Sequence, residues 1–208
     1  MVNFAASKRE TMKPFSESCE QNKYPILEVL RKEFAGCQSI LEIGSGTGQH
    51  AAFFARELPH LFWQTSDLPD AHAGILAWIG DPQLPKIGAP IALEIGRDSW
   101  PEQRFDGVFS ANTVHIMGWA EVELMFAGVG RVLAPAGVFC LYGPFNYNGT
   151  FTSESNARFD AWLKRRDPRS GVRDFERLDY HARIHGMALV RDYEMPANNR
   201  TLVWKKSG

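Results

Sequence analysis

The chain has 208 residues, 44% hydrophobic and 23% charged, with 23 Lys and Arg set against 24 Asp and Glu. That length suits one ordinary domain with a core that needs no disulfide or metal staple, and 14 Phe with 6 Trp exclude global disorder. A net charge of −1 argues against a protein that coats nucleic acid, because no global positive field steers it there.

Met1 to Pro14 is polar and carries Lys8, Arg9, Glu10 and Lys13, so it lacks the apolar core of a signal peptide. No run approaches the ~20 apolar residues of a membrane span. Cys19, Cys37 and Cys140 are odd in number and widely spaced, which fits neither a disulfide framework nor a zinc site. The histidines also lack metal-ligand spacing. A soluble, cytoplasmic protein without a metal is expected.

In chain order, residues 1–20 hold few core-forming side chains and read as an arm or lid. From Pro25, Ile26, Leu27, Leu30 and Phe34 recur at helical steps, with Pro25 in a first turn and Gly36 at the end. Ser39–Ile43 is a short apolar run and a buried strand. It meets Gly44-Ser45-Gly46-Thr47-Gly48, and a helix follows from Gln49 to Leu58. Leu61–Ser66 is a second strand ending at Asp67. A helix near 71–79 leads to a loop rich in Pro and Gly (Pro82, Pro85, Gly88, Pro90). Strands are then expected at Ile91–Ile95, Phe105–Ser110 and Val138–Tyr142, with a helix from about Glu121 to Leu133. Further on, Phe151–Arg166 and Phe175–His185 read as helices, and Ala188–Glu194 with Thr201–Lys205 as closing strands. Strands alternating with helices indicate an α/β fold: a doubly wound, mostly parallel sheet covered on both faces.

The glycine turn carries the most information. Glycines between a strand and a helix let the backbone approach a ligand closely. A dinucleotide fingerprint places its third glycine at position 49, where this chain has Gln49. Glu42, two residues before the first glycine, repels a pyrophosphate and suits a cationic ligand. Asp67, at the end of the second strand, stands where an acid accepts hydrogen bonds from ribose hydroxyls.

In such a sheet, ligands bind beyond the carboxyl ends of the strands. That rim collects Asn112 and His115 after the fourth strand and Tyr142 to Tyr147 after the fifth. Pro196 to Asn199 follows the penultimate strand. Phe145 and Tyr147 are candidates to cover an acceptor, and Asn146, Asn198 and Asn199 to hydrogen-bond it, although Asn198 and Asn199 equally suit a turn that caps its own backbone. His115 is the rim's neutral-pH base, or else a structural hydrogen-bond partner. With Asn112 and Tyr142 it forms the candidate catalytic set. Lys164-Arg165-Arg166 is interleaved with acids and reads as a solvated helical face.

The run Glu42-Ile-Gly-Ser-Gly-Thr-Gly48 resembles motif I of class I S-adenosylmethionine-dependent methyltransferases. Further segments resemble the methyltransferase-like protein 26 family: Asn22-Lys23-Tyr24-Pro25-Ile26-Leu27, Ser45 to His50, Tyr142-Gly-Pro-Phe145, Thr152-Ser153, Asp167-Pro168, Gly171 to Asp174 and Met195 to Asn199. That likeness runs from about residue 16 to the end. It implies a seven-stranded, Rossmann-like methyltransferase domain with an antiparallel last strand, spanning 1–208, with a substrate-side insertion at 143–186. It also implies S-adenosylmethionine as cofactor, held by Glu42, Gly44, Ser45, Gly46, Gly48, Asp67, Leu68, Glu94, Ile95 and Asn112. Glu94, ahead of Asp98, would face the adenine. One departure is Ala134-Pro135-Ala136-Gly137, where these enzymes commonly carry Lys-Pro-Gly-Gly.

The expected reaction is methyl transfer to a small-molecule acceptor, releasing S-adenosylhomocysteine, by a monomer or homodimer with no nucleic-acid or membrane partner. A non-catalytic S-adenosylmethionine-binding regulator and a nicotinamide-dependent oxidoreductase are the alternatives. Because a seven-stranded core fills most of the length, acceptor specificity is expected from the arm, the 143–186 segment and the 195–200 hairpin.

Overall fold

The computed structural model describes residues 13–84 and 86–208. The apolar runs become strands β1 (Ser39–Ile43), β2 (Phe62–Asp67), β3 (Ile87–Ala92), β4 (Phe105–Ala111) and β5 (Leu133–Gly143). Two short strands, β6 (Phe145–Asn146) and β7 (Arg173–Asp174), precede β8 (Met187–Met195) and β9 (Asn199–Lys206). Seven of these form one sheet in the order β3-β2-β1-β4-β5-β9-β8, while β6 and β7 pair with each other. β1 to β5 run parallel, and β9 is antiparallel to both β5 and β8. The strand order reverses between β1 and β4, which opens a crevice at their carboxyl ends.

Among the described residues there are six α-helices: α1 (Glu17–Glu33), α2 (Gln49–Glu57), α3 (His72–Ile79), α4 (Trp119–Val132), α5 (Glu154–Arg166) and α6 (Phe175–Ile184). Alternation along each strand splits the core in two. Ile40, Trp63, Phe109, Cys140, Tyr142 and Val203 point toward α1, α2 and α3. Leu41, Ile43, Val108, Phe139, Leu141, Leu202 and Trp204 point toward α4 and α6. Each core has an aromatic centre, with Phe54, Trp63 and Phe109 mutually packed on one side and Phe126, Phe139 and Trp204 on the other. Asp106 ties the start of β4 to the start of β1, accepting from the Gln38 and Ser39 amides at 2.9 and 3.0 Å.

Three expectations are corrected. The first helix begins at Glu17 rather than near Pro25, because Ser16 caps it by accepting the Cys19 amide. Pro25 therefore lies inside α1. The carbonyl it leaves without a donor belongs to Gln21, an exposed residue that water can serve. The expected arm thus loses residues 17–20 to α1, and its residues 1–12 lie outside the described residues. The third strand occupies Ile87–Ala92 rather than Ile91–Ile95. It is an edge strand, where proline is tolerated, and its register with β2 shifts between Gln64 and Ser66. Gly88 makes room there for the Gln64 side chain, whose Nε2 donates to the Ala89 carbonyl at 2.7 Å. The β6–β7 pair is the third difference, two residues on each side within a stretch where only helices were expected.

Candidate functional site

The glycine turn leaves β1 at the strand-order reversal. Gly44, Gly46 and Gly48 all have positive φ, at 72°, 58° and 88°. Two of them also sit where a side chain has no room. A Cβ on Gly44 would lie 2.8 Å from Thr113 Oγ1 in the loop after β4, and one on Gly48 2.8 Å from the Ile75 Cα of α3. A Cβ on Gly46 would meet nothing within 4 Å. The outer two glycines thus lock the turn to its neighbours, and the middle one faces open space.

Two carboxylates bracket this turn. Glu42 is 2% exposed, and its Oε2 accepts from Ser45 Oγ at 2.9 Å and Trp63 Nε1 at 3.1 Å. Burial disfavours its anion and pushes its pKa up to about 7, against the pull of those two donors. Asp67 ends β2, with Oδ2 accepting the Gly46 amide at 2.6 Å and Oδ1 the Leu68 amide at 2.7 Å. A carboxylate has lone pairs beyond these two bonds, so Asp67 keeps acceptor capacity toward the open side. Ser45 is knitted to β2 as well, its amide donating to the Ser66 carbonyl at 3.0 Å.

The third strand contributes through the loop beyond it. The Glu94 amide donates to Asp98 Oδ2 at 2.7 Å, and the Glu94 carboxylate pairs with Arg97 at 2.7 Å. Ile95 is 7% exposed and packs into the α4-side core, so its side chain belongs to the core.

At the acceptor end, Asn112 and His115 converge on Gly143. Asn112 follows β4 in the left-handed region, at φ 58°, and its amide donates to the Tyr142 carbonyl at 2.9 Å. A Cβ on Gly143 would lie 3.4 Å from His115 Cε1 and 3.7 Å from Asn112 Oδ1. His115 is 2% exposed and stands edge-on to Phe159 of α5, with ring centroids 5.4 Å apart. Its Nδ1 is buried without a hydrogen-bond partner. Burial first, and the nearby Arg173 charge second, bring its pKa down to about 4, so the ring is neutral near pH 7.

Other rim residues are placed differently. The Tyr142 side chain projects to the opposite face of the sheet, among the α1-side core, so its phenol is not brought to His115. Phe145 is fully buried in the α4-side core and has no surface to offer an acceptor. Tyr147 stacks on Phe175 at 5.3 Å, and its hydroxyl donates to Asp192 at 2.7 Å. Asn199 Nδ2 donates to the Pro196 carbonyl at 3.1 Å, closing its own turn. Asn198 is tied to α5 through Ser155 Oγ at 3.2 Å and through its carbonyl, which accepts from Asn156 at 3.0 Å. Asn146 is different: it is 7% exposed and its Oδ1 lacks a partner. Sequence reasoning missed Gln49, His50 and Asn22 as site-building residues. His50 Nε2 and Asn22 Oδ1 lie 2.7 Å apart between α2 and α1. The signal available was that Gln49 and His50 directly follow the third glycine.

The donor set fits S-adenosylmethionine, the cofactor implied by the resemblance. Two carboxylates flank a turn with no Lys or Arg between Glu42 and Gly48, and the middle glycine faces open space. That combination suits a cationic ligand with ribose hydroxyls better than a pyrophosphate.

Solved structures share this architecture at low identity. An O-methyltransferase family protein from Burkholderia thailandensis superposes with a TM-score of 0.79 at 16% identity, covering 89% of this chain and 56% of that one. The apo form of the S-adenosylmethionine-dependent methyltransferase SibL gives 0.78 at 18% identity, covering 92% and 56%. Human N-acetylserotonin methyltransferase in complex with its cofactor gives 0.70 at 13% identity, covering 89% and 55%. The chain therefore spans little more than half the length of these structures and shares their methyltransferase-type fold. The model of one family matches residues 13–206, and the chain belongs to it: the family described as protein of unknown function DUF938.

Proposed function

We propose that the protein is an S-adenosylmethionine-dependent methyltransferase acting on a small-molecule acceptor. The observation that carries this reading is the Gly44–Gly48 turn held between Glu42 and Asp67, a cradle with two carboxylates and an unobstructed middle glycine. The solved neighbours described as methyltransferases support it, as do the segments resembling the methyltransferase-like protein 26 family. The cofactor supplies a methyl group already activated on a sulfonium.

The protein's own work is then to bind, orient and deprotonate. Asp67 would accept from the ribose hydroxyls. Leu68 and the loop at Glu94 and Ile95 would border the adenine, and the Glu42 carboxyl lies behind the turn. Asn112 and His115 face the acceptor at Gly143. His115, whose Nδ1 has no hydrogen-bond partner among the described residues, would be the group that receives the proton lost by an acceptor hydroxyl or amine. Positioning and exclusion of water supply much of the remaining acceleration.

A small acceptor is favoured because the rim's cations are already engaged. Arg200 pairs with Asp192 at 2.7 Å and Glu194 at 3.1 Å, and the Arg173 guanidinium donates to the carbonyls of Val114, Met117 and Arg169. Calorimetry of the full chain with S-adenosylhomocysteine tests the cofactor reading directly. One-to-one binding is expected, weakened roughly tenfold or more by Asp67→Ala, the scale of a lost charge-assisted hydrogen bond. Absence of binding heat up to millimolar ligand would overturn the proposal.

A further inference from the structure

We infer that Gln49 and His50 are positioning residues that clamp the start of α1 against the glycine turn, so that the segment leading into α1 stands as a third wall of the ligand crevice. The inference rests on the cofactor reading above and adds residues that do not themselves touch the ligand.

The need for a clamp comes from the sequence of α1. Its buried apolar residues, Ile26, Leu27, Val29 and Leu30, all lie in its second half. The first turns read Glu17-Ser-Cys-Glu-Gln21, with no buried side chain among them. Hydrophobic packing therefore anchors one end of the helix and leaves the other to polar contacts.

Gln49 supplies the first of these. It is 6% exposed, and both ends of its carboxamide are in use. Oε1 accepts from the Ser16 amide and from Thr47 Oγ1, the latter at 3.1 Å, while Nε2 donates to the Ser16 carbonyl at 3.5 Å. His50, 5% exposed, supplies the second. Asn22 Oδ1 only accepts, so the His50 Nε2 that faces it at 2.7 Å carries the hydrogen. A third tie lies just upstream, where Trp78 Nε1 donates to the Pro14 carbonyl at 2.6 Å.

The clamp is built on the turn itself. Gln49 and His50 directly follow Gly48, and Thr47 within the turn shares the Gln49 oxygen that holds Ser16. A displacement of Thr47 is thereby passed to the start of α1. The position at which a dinucleotide fold keeps a glycine here carries a side chain that reaches across to another helix. A cavity of about 410 Å³ is bordered by Pro14, Gly46, Thr47 and Ala71. Pro14, two residues ahead of the Ser16 that Gln49 holds, thus stands on one side of the space that Gly46 faces.

The experiment pairs S-adenosylhomocysteine calorimetry with amide hydrogen exchange on the full chain, its Gln49→Met variant and its Asn22→Leu variant. Each variant is expected to bind about fivefold more weakly, the scale of one or two lost hydrogen bonds. Ligand is expected to slow exchange at residues 17–22 in the unaltered protein and to lose that effect in the variants, with the central strands exchanging alike in all three. Affinities within twofold of the unaltered protein, or unchanged protection of 17–22, would sink the clamp while leaving the cofactor reading intact. Faster exchange throughout the sheet in both variants also overturns it, since that marks lost fold rather than a lost wall. Failure of the unaltered protein to bind refutes the cofactor reading itself.

Discussion

Glu42 is a carboxyl group whose surroundings oppose its charge. Burial raises its pKa from 4.5 to about 7, and only Ser45 and Trp63 donate to it. In the unfolded chain the same group ionises near its ordinary value. As pH rises from 4.5 to 7 the unfolded state releases a proton that the folded state retains, so this contribution to stability is lost across that window. The size is on the order of 3 kcal/mol, from 1.36 kcal/mol per pKa unit. Glu42→Gln keeps an acceptor oxygen for both donors and removes the titration. Its thermal midpoint, measured against that of the unaltered protein, should therefore gain between pH 5 and 7 and level off above that. Parallel curves for the two proteins would mean that Glu42 is already ionised when folded. The same desolvated carboxyl suits a cationic ligand, whose charge would favour the ionised form.

At the scale of elements, a turn inside β5 carries a measurable strain. Ala136 is exposed and has φ 61°, a conformation that a Cβ disfavours by roughly 1–2 kcal/mol. Ala136→Gly removes that strain and adds some freedom to the unfolded chain, for a net gain of about 1 kcal/mol. The melting temperature should rise by about 2–4 °C for a chain of this size. No change, or a fall, would show that the loop relaxes around alanine. The departure from Lys-Pro-Gly-Gly was legible in the sequence as a tighter turn, and the positive φ locates the tension at Ala136. Elements whose cause is local were largely legible: β1, β2 and β4 from their apolar runs, and α5 from a helical pattern with Ser153 or Ser155 before it, of which Ser153 is the cap. β3 was obscured because Gly88 and Pro90 are loop signals. An edge strand tolerates both, but being an edge is a property of the sheet rather than of the segment. The rim's partners were hidden for the same reason. Tyr147 bonds Asp192 and Asn198 bonds Ser155, residues that lie 45 and 43 positions away in sequence.

Across the whole molecule, each face of the sheet encloses a neutral histidine near the crevice. His50 lies between α1 and α2, stacked on Phe54 at 5.2 Å, and His115 lies under Phe159 of α5. Burial brings both down to about 4 from an ordinary 6.5. Their depressed values mean that stability is intact above pH 6.5 and falls as pH drops toward 4, because the unfolded chain takes up two protons that the folded chain refuses. Glu42 acts in the opposite sense over part of that range. Between pH 6.5 and 4.5 the folded state holds a proton there that the unfolded chain has released, so these three groups leave a net uptake of about one on unfolding. They should therefore contribute a fall of about 1.4 kcal/mol per pH unit in this window, or roughly 3 kcal/mol across it, beside the smaller share of His185, whose pKa burial also lowers. In Glu42→Gln the opposing proton is gone and the slope should steepen by about 1.4 kcal/mol per pH unit. In His115→Leu one refused proton is gone, and the slope should ease by about the same amount. Denaturant unfolding at pH 6.5, 5.5 and 4.5 measures all three slopes. Equal slopes in the three proteins would mean that neither carboxyl nor imidazole is held in the state its burial dictates.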